Sequence, residues 1–154
     1  MKKMFFIVLL FLAFGLCVFA GEKKMSAGLG LEWNMDSRHN FAGAAAFGFT
    51  YNLPRDTAIG LNVTGSYNFF AIEVLEASVL FRSYIQDNDY TKWFAQVDAG
   101  VFFLFEDEEI TPMPLLGFRF GYRQPLGSLF YIEPYGRLGY PFAFGIGLIA
   151  GISF

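Results

Sequence analysis

From Phe142 to Phe154 bulky and small side chains alternate, and this period of two restricts the fold more than any other feature of the chain. Phe142, Phe144, Ile146, Leu148, Ala150, Ile152 and Phe154 share one parity; Ala143, Gly145, Gly147, Ile149, Gly151 and Ser153 share the other. Successive side chains of a β-strand point to opposite faces, so one face is oily and the other mostly Gly, Ala and Ser. A soluble sheet buries its oily face in a core. Here the small face is the one with little room, so the oily face is expected outside, as in a narrow barrel in lipid. The rival is a transmembrane helix over the uncharged stretch Leu138–Phe154, which holds four glycines and Pro141. Such a helix would span only ~25 Å of a ~30 Å hydrocarbon core, and Gly and Pro are poor helix residues.

The rest of the chain makes the same demand. Its 154 residues are 55% hydrophobic and 20% aromatic with only 16% charged, too oily for an ordinary small soluble domain. Residues 1–20 have the form of a Sec-type signal peptide: Lys2 and Lys3, the apolar run Met4–Phe19, and Val18 and Ala20 before a cleavage site. The domain is then 21–154. The single cysteine, Cys17, falls inside the signal; a lipoprotein cleavage before it is the alternative, and bulky Leu16 argues against it. Cleavage after Ala20 leaves no disulfide. It also leaves nine Lys and Arg against 14 acids, a net charge of −5 with no basic stripe, so no nucleic-acid partner is expected. Beyond residue 20 no apolar run reaches the ~20 residues a spanning helix needs. Backbone polar groups in lipid must be satisfied internally, which leaves a closed all-β barrel.

Eight strands are expected, at Met25–Asn34, Phe41–Asn52, Thr57–Phe69, Val74–Ile85, Lys92–Phe105, Leu115–Gln124, Leu129–Leu138 and Phe142–Phe154. Leu53–Asp56, Gln86–Thr91 and Pro125–Ser128 read as turns, and 35–40, 70–72, 106–114 and 139–141 as the loops of the opposite end. The longest loop is expected at Glu106–Pro114, with four successive acids. A bulge or break is expected at Pro134, because proline cannot donate to a neighbouring strand. An even strand count puts both termini on the periplasmic side.

Charge parity tests the pattern. Glu76 and Arg82, Arg119 and Arg123, and Glu133 and Arg137 each fall on one parity of their strand. A barrel requires this, since a charge facing lipid at mid-bilayer costs ~2–4 kcal/mol. With Glu32 and Asp98 the interior then holds four acids and four arginines. The interior of an eight-strand barrel is just filled by side chains, and buried charges must pair. This network either holds the barrel shut or lines a narrow polar path. Glu73 is expected outward, at the rim. Aromatic girdles are expected at both interfaces: Tyr51, Trp93, Tyr122, Phe130 and Phe154 at one, and Trp33, Phe41, Tyr67, Phe69, Phe105 and Tyr140 at the other. A soluble lipocalin-like barrel is the structural rival.

No catalytic constellation stands out. His39 is the only histidine, and with Ser37 and Asp36 it sits in one loop, where adjacency in sequence does not make a triad. The acids Glu106–Glu109 read as a solvated loop, with a divalent cation or a basic partner as the alternative. No cofactor and no metal site is expected.

The signal segment, the eight alternating strands and the final Phe154 together resemble small bacterial outer-membrane barrels of the OmpX, OmpW and OmpA-membrane-domain type, over residues 25–154. The resemblance implies an outer-membrane location and a lipid bilayer as partner. It also implies recognition by the barrel assembly machinery through the last strand, at Ile152 and Phe154. The expected role is structural or surface-interacting and not enzymatic. A narrow conduit for small or hydrophobic solutes, as in OmpW-like proteins, and a lipid-modifying enzyme are the alternatives. The short loops argue against an adhesin, and with no segment after the barrel an OmpA-like cell-wall anchor is not expected.

Overall fold

Eight strands follow one another with no helix among the described residues, which in this computed structural model are 24–35, 41–67, 73–88, 91–106 and 109–154. They are β1 (Met25–Met35), β2 (Phe41–Leu53), β3 (Thr57–Tyr67), β4 (Glu73–Asn88), β5 (Thr91–Glu106), β6 (Glu109–Leu126), β7 (Phe130–Tyr140) and β8 (Phe144–Ser153). Each pairs antiparallel with its neighbours in sequence, and β1 pairs with β8, so the sheet closes into a barrel. The expected signal peptide and Cys17, Asp36, Ser37 and His39 with their loop, Phe69, and the 70–72 loop lie outside the described residues.

The sheet is oily outward and polar inward. Leu31 is 74% exposed on the outer wall, and Leu148, Phe118 and Val79 also face out. Glu32, Glu76, Asp98, Arg119, Glu133 and Arg137 are buried inside. That arrangement excludes a soluble lipocalin-like barrel, whose oily face would turn inward. It suits a bilayer, where the outer face meets acyl chains. Glycine matters where strands coil closest. A Cβ on Gly60 would run into the Phe49 carbonyl, and one on Gly100 into that of Ala77.

Four expectations need correction. Of the loop expected at 106–114, Glu106 and residues 109–114 are strand: β5 and β6 stay paired out to Glu106 and Glu109. The β6–β7 ladder begins only at Leu116 and Tyr140, so residues 109–115 of β6 have no second partner strand among the described residues and form a free edge. The ladder with β5 runs unbroken through Pro112 and Pro114, which places both proline nitrogens on that free side, where a missing N–H costs nothing. Likewise the turn expected at Gln86–Thr91 is tighter, since Asn88 and Thr91 already pair, beside an irregularity between Gln86 and Asn88.

Pro134 neither bulges nor breaks β7. The β7–β8 ladder passes through Pro134 and Leu148 without a shift. Only the β6–β7 ladder is interrupted, between Gly121–Tyr135 and Gln124–Ile132, and it resumes in the same register. The missing donor therefore faces β6. Finally, Phe142 does not share the outer face of β8. The strand starts at Phe144, and in the preceding bend Phe142 turns inward and is buried.

Candidate functional site: the barrel lumen

The lumen has layers. Hereafter the terminal end is the one carrying Met25 and Ser153, and the far end is the one carrying Asn34 and Leu115. At the far end Ala42, Val74, Phe102, Leu115 and Phe142 form an apolar cap, with Leu104 and Met113 packed against it. Tyr140 closes the cap's flank, its ring edge-on to Phe102 at 5.3 Å and its hydroxyl 3.7 Å from Met113 Sδ.

Beneath the cap lies the first set of charges. Arg137 Nη2 donates to Glu76 at 2.8 Å and Nη1 to Glu32 at 2.9 Å. Glu32 also meets Arg119 at 3.2 Å, and it accepts from Tyr135 and, at 3.1 Å, from Asn34. Arg119 Nε lies 3.1 Å from Asp98, within ion-pair range but not aligned for a hydrogen bond. With the Asn62 amide oxygen turned toward it, Arg119 Nη2 gains a further acceptor at 2.6 Å.

The second set lies toward the termini. Glu133 receives both Arg82, at 2.8 Å, and Arg123. Arg82 also stacks on Phe94, 3.9 Å from the ring centroid, and Arg123 on Tyr131 at 4.0 Å. Such stacking partly replaces the water a guanidinium loses on burial. Gln96 joins the two sets, accepting from Arg82 Nε and donating to Asp98, both at 2.8 Å. Arg123 Nη1 extends the chain to Ser26 at 3.0 Å.

All eight charged side chains expected inside are therefore brought together in one connected network. Between the two sets a cavity of about 20 Å³ remains, lined by Thr50, Asn62, Arg82, Arg119 and Glu133 among others. That is room for one water. At the terminal end a larger vestibule of about 250 Å³ opens outward between Asn52, Asp56, Thr57, Tyr84, Lys92 and Arg123. Lys92 and Asp56 pair across its rim at 2.9 Å.

Of the girdle residues, Trp33, Phe41, Tyr67 and Tyr140 lie on the outer wall at the far end, and Tyr51, Trp93 and Phe130 at the terminal end; Tyr122 is partly covered there by Trp93, 5.0 Å away. Ile152 pairs with Ala27 and Phe130, and the Phe154 backbone bonds with Met25 in both directions. Glu109 is exposed at the far end. No group of three or more His, Cys, Asp or Glu among the described residues is placed to hold a metal ion.

The far-end cap was missed in the sequence. Phe102 has inward parity and could have signalled it. Phe142 could not, because parity does not carry across a bend.

No protein-family model matches the chain, and no curated protein matches it. Solved structures do. The N-terminal β-barrel domain of Pseudomonas aeruginosa OprF superposes with a TM-score of 0.67 at 10% identity, covering 84% of this chain and 97% of that one. Neisserial surface protein A gives 0.60 at 11% identity over 84% and 94%. Ail, the attachment invasion locus protein of Yersinia pestis, gives 0.54 at 13% identity over 84% and 96%, and it has also been solved with the heparin analogue sucrose octasulfate. The fold is that of small eight-stranded outer-membrane barrels.

Proposed function

We propose that this chain is an integral barrel of the bacterial outer membrane, with a structural or surface-interaction role and a lumen that does not conduct. One observation carries the reading: between the far-end cap and the vestibule the lumen is crossed by the buried, paired charges, and the cavity among them, about 20 Å³, has room for a single water. A hydrated ion would have to displace paired guanidinium and carboxylate groups, and separating a buried pair costs about 3–5 kcal/mol. The outer wall, oily between two sets of aromatics, supports the bilayer as partner.

In this reading the two termini of the barrel, which the even strand count puts at one end, face the periplasm. Ile152 and Phe154 serve as the assembly signal, and the N-terminal segment directs export. The surface part is then the far end, where the β5–β6 hairpin exposes Ile110, Thr111, Pro112 and Pro114. Ail, a barrel of the same fold, has been solved with a sulfated ligand, which supports a surface-interaction role. The reading is non-enzymatic.

Planar-bilayer recording tests it. The purified chain should insert without stepwise conductance. Reproducible single-channel steps would move the assignment to a conduit. Cell fractionation tests location: the chain should remain with outer membranes until detergent is added.

A further inference from the structure

The lumen network is neutral as a whole but not along its length. The far-end set holds three carboxylates, Glu32, Glu76 and Asp98, against two guanidiniums, Arg119 and Arg137. The terminal set holds two guanidiniums, Arg82 and Arg123, on the single carboxylate of Glu133. A positive charge is thus left in excess toward the termini. Arg123 of this set lines the 250 Å³ vestibule at that end.

Two cations, Arg123 and Lys92, line the vestibule, and Arg82 lines the inner cavity instead. All three stand 5.6 Å from the Tyr84 ring. Among the described residues two carboxylate side chains pair with these three cations: Glu133, shared by two arginines, and Asp56, paired with Lys92. Arg123 uses Nε on Glu133 and Nη1 on Ser26. Thr57, on the vestibule wall, gives its hydroxyl proton to the Pro54 carbonyl at 3.0 Å. The cavity is far larger than one water, and the cap at the other end makes it a cup and not a passage.

We propose that this vestibule is a binding site for a small oxyanion, a phosphate or carboxylate group, held between Arg123 and Lys92 over Tyr84. The anion would offset the positive excess of the terminal set of the network, at the point where Arg123 meets the vestibule. Arg123 supplies the buried charge, and Lys92 a movable one that can leave Asp56. The site would exist whether or not the barrel conducts.

The test uses the full chain folded in an uncharged maltoside detergent, so that no headgroup phosphate competes. Inorganic phosphate is titrated at constant ionic strength against chloride, and the amides of Thr57 and Tyr84 and the Arg123 Nε–H are followed by NMR. Saturable shifts confined to the vestibule, weakened about tenfold or more in Lys92→Gln, are expected. Lys92 is partly exposed, so this variant should fold; Arg123→Gln, if it folds, should abolish the shifts. A second arm replaces phosphate with phosphatidylglycerol. Saturation there alone assigns the oxyanion to a lipid headgroup. No saturable shift in either arm, or shifts unchanged in Lys92→Gln, overturns the proposal.

Discussion

Arg82 Nε donates to Gln96 Oε1 at 2.8 Å, and this contact joins the two charged sets of the lumen into one. Gln96 passes the link to Asp98 through its own amide. A neutral side chain thus connects a positively biased set to a negatively biased one without adding charge to either.

Gln96→Leu should therefore strand a donor on Arg82 and an acceptor on Asp98 inside the barrel. Hydrogen bonds to charged groups contribute about 1.5–3 kcal/mol each. A loss of roughly 2–4 kcal/mol is expected, read as a lower denaturant midpoint when the folded chain is unfolded from lipid vesicles. An unchanged midpoint would mean that the two sets are independent.

Glu133→Gln should be more severe, because it removes the one carboxylate that two buried arginines share. The expected cost is about 3–5 kcal/mol. Adding Arg123→Gln to Glu133→Gln should cost less than the two single changes predict. A strictly additive double-mutant cycle would contradict the pairing.

Phe142 and Phe144 separate the bend from the strand. Phe142→Ala opens the far-end cap and should cost about 3–5 kcal/mol, as for other buried Phe. Phe144→Ala, on the outer wall, should cost clearly less. The reverse order would place Phe142 back on the outer face.

On the outer wall, Leu148→Arg should cost about 2–4 kcal/mol, against about 0–1 for Leu126→Arg near the rim. Equal costs at the two depths, measured in the same vesicles, would argue against a bilayer around this wall.

Pro112 and Pro114 suggest a test of the free edge of β6. Strand edges with open donors invite pairing with other chains, and proline blunts them. The double change Pro112→Thr with Pro114→Thr restores two donors on that edge. Cross-linking should then show dimers absent from the parent chain; an unchanged monomer would mean the edge is protected some other way.

The parity of each strand was decided by side chains two residues apart, a local relation that needs no knowledge of the partner strand. That is why the oily outer face and the inward side of Glu76, Arg82, Arg119, Arg123, Glu133 and Arg137 could be read from the chain alone. The same local rule fails at bends, where the phase resets, and so Phe142 was assigned to the wrong face. Proline signals misled for a related reason: Pro112 and Pro114 look like loop until it is known that β7 ends below them, and Pro134 looks like a break until its missing donor is seen to face β6.

What closure alone decided is which charges meet. Arg82 and Glu133 come from β4 and β7, and Glu76 and Arg137 likewise, strands that never pair in the sheet and touch only across the axis. No spacing along the chain encodes that. The count of four acids and four arginines was open to reading; their uneven division between the two ends was not, because it depends on strand tilt and register around the full barrel.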